Sequence, residues 1–342
     1  MSQHSQMYQE IREIPDAVER LLTEGGPAIR QAADALRQAD PSFLISAARG
    51  SSDHAATYLK YVSELVAGIP VASVGPSVAS VYGSKLHLKG SACIAVSQSG
   101  KSPDIVRMAQ MAERQGALTL AMTNNPDSDL AKVSTHTLNL HAGSEHSVAA
   151  TKTFVTSLVT ALWLVSEWTK DKDILRAIHA LPALLGTAVE QDWSVLTTHL
   201  STETALFCLG RGPAYAMSNE TALKFKETCQ IHAESYSSAE VLHGPVSMVD
   251  HGFTVLGLTS ADAAEPVLVE VADQIAGKGA KVFVTSNMAK CATALPVVRT
   301  EHPLTDPIAL IASVYAMVEA VAVAKGINPD TPRHLTKVTE TL

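Results

Sequence analysis

The sequence predicts an α/β protein of two tandem, doubly wound domains, each built on a parallel central sheet with helices on both faces. Three observations predict it. Short continuous apolar runs bounded by Gly, Ser or Asn alternate with helical patterns, as strands covered on both faces require. Similar segments recur in one order along the chain. The length of 342 residues is that of two ordinary domains.

Taken in order, strands are expected at Phe43 to Ala47, Ala92 to Val96, Leu118 to Met122 and Thr137 to Leu140. A second set repeats them. FLISAARG ends at Gly50 and ALFCLGRG at Gly212, 162 residues later, each followed by a helical pattern. ACIAVSQS from Ala92 matches TVLGLTSA from Thr254, which aligns Ser97 with Thr259 at the same offset of 162. GALTLAMTNN from Gly116 matches GAKVFVTSNM from Gly279, 163 residues on. Two unrelated doubly wound domains would share strand-then-glycine turns, but three matches in one order read as a duplicated α/β unit. The boundary belongs in the helical stretch between about Asp171 and Thr204, and is drawn as domains 1–185 and 186–342.

Composition narrows the function classes. With 46% hydrophobic and 18% charged residues, the chain can bury a large core and is not of disordered type. A formal net charge of −8 argues against a nucleic-acid surface, which needs clustered positive charge, so any anionic ligand must be small and locally held. Cys93, Cys208, Cys229 and Cys291 are far apart with no CxxC pair, which suggests buried reduced thiols and no metal site. The polar start MSQHSQMYQEIREIP carries no secretory signal, so a cytoplasmic protein with no membrane partner is expected. The longest apolar helical stretch, from about Phe154 to Trp168, is broken by Thr156, Ser157, Thr160 and Ser166 and reads as a core helix.

Two loops carry anion-binding chemistry. After the strand ending at Val96 comes Ser97-Gln98-Ser99-Gly100-Lys101-Ser102, with Pro103 and Asp104 opening a helix. A helix start offers free backbone N–H groups and the positive end of a dipole, and serine hydroxyls add donors without bulk. Gly100 would let the chain approach an anion closely, and Pro103 suits the first helical turn. Arg49-Gly50-Ser51-Ser52 offers a second set of donors at the same carboxyl edge, where α/β ligands bind. One such loop alone would be ordinary N-capping; two together point to a phosphate monoester. Gly100-Lys101-Ser102 copies the end of a nucleotide-binding loop, but the first glycine it needs is Ala95, and no GxGxxG follows a strand. No cofactor is expected.

This arrangement resembles the SIS (sugar isomerase) domain family, a flavodoxin-like, three-layer αβα fold with a serine-rich SQSG loop beside a Gly-Ser-Ser turn. The resemblance implies a sugar-phosphate ligand held by Gly50, Ser51, Ser52, Ser97, Gln98, Ser99 and Ser102. Lys101 stands where the related synthases carry glutamate.

In the second copy, Glu220, Lys224 and Glu227 are spaced by four and three and share one helix face. A solvated salt-bridge ladder would look the same, but the helix follows the first strand of the repeat, so its start lies at the ligand-binding edge. His243 precedes Gly244-Pro245 on a turn, a mount for an acid or base, whereas His232 reads as a satisfied structural histidine.

The segment ALKFKETCQIHAESYSSAEVLHGP resembles the isomerase half of the glucosamine-6-phosphate synthases. That resemblance implies that Glu227 shuttles a proton between C1 and C2, with Lys224 beside it, Glu220 in the site, and His243 opening the sugar ring. It also implies that Lys337, in the tail DTPRHLTKVT, forms a Schiff base with the open-chain ketose. Val148 and Ala149, in EHSVAATK, would contact substrate through the backbone. Ser147 and Leu242 replace the synthase's glycine and lysine. The chemistry fits the residue types: one mobile carboxylate can move the proton, an ammonium steadies the enolamine charge, and a histidine gives and takes the ring-oxygen proton.

No counterpart of the synthase's glutaminase domain is seen, Met1 being followed by Ser2. The expected reaction is therefore isomerising deamination, glucosamine 6-phosphate to fructose 6-phosphate and ammonia. Other isomerase, deglycase or deaminase reactions on fructosamine or galactosamine 6-phosphates stay open, as does a non-catalytic sugar-phosphate sensor. The resemblance further implies a homodimer whose site is completed across the subunit interface.

Overall fold

In a computed structural model, the structure describes residues 4–337. Ten strands form two five-stranded sheets: β1 (Phe43–Ala47), β2 (Val71–Ser73), β3 (Ser91–Val96), β4 (Leu118–Thr123) and β5 (His136–Asn139) in one, and β6 (Ala205–Gly210), β7 (His232–Ser237), β8 (Thr254–Gly257), β9 (Lys281–Val284) and β10 (Thr293–Ala294) in the other. The first runs β2-β1-β3-β4-β5 and the second β10-β9-β8-β6-β7. Counted within its own sheet, each has the order 2-1-3-4-5, the flavodoxin-like arrangement with its switch point between the first and third strands. Every pairing is parallel, with register such as Ala47↔Ala95, Val96↔Met122 and Leu209↔Gly257.

The apolar runs read from the sequence are the central strands. All six residues of β3 are buried, which requires cover on both faces. On one face Ile45, Cys93, Ala95 and Ala121 meet Ile105, Ala109 and Ala112 of the helix Pro103–Arg114. On the other lie the helices Gly26–Ala39 and Ser51–Val62, both packed on Lys152–Thr169. The expected core helix is there, buried from Lys152 through Ser166. The second sheet is built likewise: Phe207, Leu209, Val255, Val282 and Val284 pack against Leu268, Ala272 and Ile275 of Glu265–Ala276. The helix Pro213–Cys229 packs on β6, β7 and the helix Asp306–Ala324.

The edge strands β2, β7 and β10 are the elements that the apolar pattern does not announce. They are short or half exposed, so their residues need no continuous hydrophobic run. Asp306–Ala324, with a mean hydropathy of 2.0, is the helix long and apolar enough to cross a membrane among the described residues, and 78% of that window is buried inside the protein. It is the longer apolar helix, not the stretch around Phe154. Of the four cysteines, Cys93, Cys208 and Cys229 are buried as expected, but Cys291 is exposed.

Among the described residues the chain forms two compact units. One gathers Asp16–Glu145, Lys152–His179 and residues 336–337; the other gathers residues 4–15, His146–Thr151 and Ala180–Leu335. Each holds one of the two sheets.

Candidate functional site

The unit built on β1 to β5 opens a cavity of roughly 340 Å³ at the switch point between β1 and β3. The turn after β1 contributes Arg49, Gly50 and Ser52; the loop after β3 contributes Ser97, Gln98, Ser99 and Ser102; the tail contributes Lys337. Ser51 opens the helix Ser51–Val62 beside them but does not line the cavity. Seven of the residues singled out from the sequence, Gly50, Ser52, Ser97, Gln98, Ser99, Ser102 and Lys337, thus line one pocket.

The local structure explains the loop. Asn124 N donates to Gln98 O at 3.0 Å and Leu130 N to Gly100 O at 3.0 Å, which ties the serine loop to the segment after β4. Ser97 is buried and its hydroxyl accepts from Gly100 N at 3.2 Å. Ser102 is the N-cap of Pro103–Arg114, yet its hydroxyl makes no capping bond, and the residue lines the cavity. Gly100 has φ +62°, and a Cβ there would overlap the Ser128 side chain. The glycine is required by that packing, a different reason from the close approach of an anion expected from the sequence. Lys101 is exposed and outside the cavity lining.

Two charged groups at this pocket were not singled out by sequence reasoning. Asp104, fully buried, accepts from Arg49 Nε and Nη2, each at 2.9 Å, and from Ile105 N at 2.9 Å. This holds a half-exposed guanidinium at the cavity wall. Glu145, whose side chain is sealed from solvent, stands 3.1 Å from Lys337 Nζ and accepts from Thr153 N at 3.1 Å and from the Thr153 hydroxyl. Both pairs join residues remote in sequence, so no local pattern announces them.

In the other unit, the helix Pro213–Cys229 carries Glu220, Lys224 and Glu227. Lys224 Nζ lies 2.5 Å from Glu227 Oε2 and 3.3 Å from Glu220 Oε1, and Tyr315 OH donates to Glu220 Oε1 at 3.0 Å. Glu220 and Lys224 are buried, and Glu227 is partly exposed at 21%. A solvated ladder is therefore excluded. Burial alone would lower the Lys224 pKa, but the Glu220 and Glu227 carboxylates outweigh it and push the ammonium up to about 12. Glu227 stands near the end of its helix, about 21 Å from Pro213 by helical rise, so the sheet-edge argument applies to the helix start and not to the triad.

His243 is exposed on the short turn Glu240–His243, and none of the described hydrogen bonds links it to the triad. His232, expected as a satisfied structural histidine, is exposed at the start of β7, 3.5 Å from Glu234. Val148 is half-buried and Ala149 buried in the segment His146–Thr151. Ser147 is buried; its N–H donates to the Glu10 carboxylate at 3.3 Å and its hydroxyl to Asp330 Oδ1 at 3.3 Å. Leu242 is exposed.

The duplicated sheet treats its own edge differently. In the loop after β8, Ala261 N donates to Asp306 Oδ2 at 2.7 Å, while Asp306 Oδ1 accepts from Thr300 N at 2.7 Å. Arg299 pairs with Glu265 at 2.5 Å. The second copy's loop is bonded to the protein's own carboxylate, whereas in the first the Ser97 and Ser99 hydroxyls accept from the loop's own Gly100 and Lys101 amides. Among the described residues no group of three or more His, Cys, Asp and Glu side chains is placed to hold a metal ion.

A family model described as SIS domain matches residues 36–166 and 199–324. The isomerizing glutamine–fructose-6-phosphate aminotransferase of Sulfurisphaera tokodaii is 30% identical over 338 residues, covering 97% of this chain and 56% of that protein. The chain spans about half the length of the curated relatives it matches, 44% and 56% in two of them. A protein from Silicibacter pomeroyi DSS-3, assigned as a phosphosugar isomerase, superposes with a TM-score of 0.93 at 56% identity, covering 95% of this chain and 100% of that one. The C-terminal domain of glucosamine-fructose-6-phosphate aminotransferase from Francisella tularensis superposes with a TM-score of 0.83 at 23% identity, covering 97% and 99%, a likeness of fold.

Proposed function

Because the chain belongs to the SIS domain family, we propose that it is a sugar-phosphate enzyme acting as an isomerising deaminase, converting glucosamine 6-phosphate and water to fructose 6-phosphate and ammonia. The observation that carries this reading is the buried Lys224 held between Glu220 and the partly exposed Glu227. A lysine at that cost of burial is hard to explain as surface solvation, and its partner is the carboxylate that can reach a ligand.

In this reading Gly50, Ser52, Ser97, Gln98, Ser99 and Ser102 hold the phosphate by hydroxyls and loop amides, with Ser51 opening the adjoining helix outside the cavity lining. Val148 and Ala149 line the sugar through their backbone. His243 moves the proton that opens the ring. Glu227 removes the C2 proton and returns it to C1, leaving an imine at C2, while the Lys224 ammonium steadies the enolamine charge. Lys337 Nζ, once its proton has passed to an acceptor such as Glu145 at 3.1 Å, adds to the C2 imine and expels ammonia. Water then hydrolyses the lysine imine to the ketose. The synthetic direction uses the same steps in reverse but needs a supply of ammonia.

A second reading is an aldose–ketose isomerase without loss of an amine, favoured by the 56% identical protein assigned as a phosphosugar isomerase. The two are separated by an ammonia-release screen over hexosamine and fructosamine 6-phosphates with product analysis. Release from glucosamine 6-phosphate supports deamination; interconversion of neutral sugar phosphates without ammonia supports the second reading. Glu227→Gln should bind sugar phosphate yet lose turnover by about 10²–10⁴. Absence of any turnover in the parent protein would point to a sensor.

A further inference from the structure

The helix Pro103–Arg114, whose start carries the serine loop, has a second feature on its outer face. Arg107, Gln110, Met111 and Arg114 recur at three- and four-residue spacing, so they share one face over two turns. That face forms one wall of a separate cavity of roughly 240 Å³. The opposite wall is the segment around Ser84 and Lys85, tied to the helix by Arg107 Nη1 donating to Ser80 O at 3.2 Å.

Three cations, Lys85, Arg107 and Arg114, line this cavity, and no carboxylate lines it. Elsewhere in this unit Arg37 pairs with Asp34, Arg176 with Asp173 and Arg49 with Asp104, while Arg20 donates to a backbone carbonyl. Here neither Lys85 nor Arg114 has a hydrogen-bond or ion-pair partner among the described residues, and Arg107 uses one of its five N–H donors on Ser80. In a chain of net charge −8, a concavity that gathers like charges without a counter-charge is unusual, because the cations repel unless an anion lies between them. Guanidinium forks set two turns apart match oxygens spread over a compact body, and Met111 supplies an apolar floor.

We propose that this cavity binds a small organic phosphate carrying two or more negative charges, at a site distinct from the serine-loop pocket and independent of the reaction assigned above. Inorganic pyrophosphate is the probe, titrated calorimetrically into the full chain carrying Ser99→Ala and Ser102→Ala, which weaken the serine-loop pocket. One binding event should remain. Arg107→Gln with Arg114→Gln should weaken it by about tenfold or more, the Arg→Lys pair should recover part of that affinity, and 0.5 M salt should weaken it in the parent. Should the double variant not fold, Lys85→Gln on the exposed segment serves in its place, with a smaller loss expected in the same direction. Absence of the event, or an affinity unchanged by removing these cations, overturns the proposal. The readout is binding alone, so a failed ammonia screen would leave it standing, and its own failure would leave the proposed reaction untouched.

Discussion

Lys224 and Glu220, one turn apart on the same helix, are both sealed from solvent with Nζ 3.3 Å from Oε1, and the Tyr315 hydroxyl donates to that same oxygen at 3.0 Å. The consequence is energetic as well as chemical. A buried ion pair adds little over an apolar pair, but breaking it strands a charge.

Lys224→Met should therefore lower unfolding stability by about 3–5 kcal/mol, and adding Glu220→Gln should return much of it. Equilibrium urea unfolding of the parent and the two variants checks this. The pH sign follows from the raised lysine. Its folded value, about 12, lies above the ordinary 10.5, so its contribution is whole below 10.5 and is lost as pH rises through about 12. The gap between parent and Lys224→Met should narrow over that window and stay constant from pH 7 to 10. A gap unchanged up to pH 12 contradicts the assignment.

Asp104 anchors Arg49 at the wall of the serine-loop cavity, where the proposed reaction places the phosphate. Arg49→Gln should raise KM for the sugar phosphate about tenfold with a smaller change in kcat, since a charge-assisted contact to the phosphate is made in ground and transition states alike. Asp104→Asn should do the same to a lesser degree. A fall in kcat alone would argue that Arg49 acts elsewhere.

Gly100→Ala tests the turn. The residue has φ +62° and its Cβ would overlap Ser128, so the variant should lose about 1–3 kcal/mol and its phosphate affinity together. Pairing it with Ser128→Gly should restore part of the stability by removing the overlap, while the left-handed strain stays. Thermal unfolding with and without sugar phosphate reads both effects.

Thiol labelling should find one reactive cysteine. Burial pushes the Cys93 and Cys229 thiols up to about 12 and raises Cys208 as well, leaving Cys291 exposed. Native protein should take up about one equivalent of an aromatic disulfide reagent, and Cys291→Ser almost none; denaturant should expose the remainder. Fast labelling of more than one cysteine in folded protein would refute this.

The legible part of the fold was what periodicity and repetition carry. Continuous apolar runs identify β1, β3, β4 and β6 because a strand covered on both faces has no polar side. β7, with the sequence HAESYS, pairs along its whole length with β6 yet has one fully buried residue. Its place is held by backbone hydrogen bonds, which leave no mark on side-chain pattern. At the site, the serine loop was legible because its chemistry is contiguous. Arg49 with Asp104 and Lys337 with Glu145 were not, since partners 55 and 192 residues apart are brought together only by the fold.

The sequence by itself determined the α/β class, the duplication, the serine-rich loop and the shared helix face of Glu220, Lys224 and Glu227, because each is a local pattern or a repeat of one. Tertiary structure alone decided that this face is buried rather than solvated, that Gly100 is demanded by Ser128, and that Lys337 enters the serine-loop cavity. It also decided that the second copy of the loop is satisfied by Asp306. The physical reason is common to all four: burial and counter-charge depend on what the rest of the chain brings within a few ångströms, and one-dimensional spacing does not carry that information.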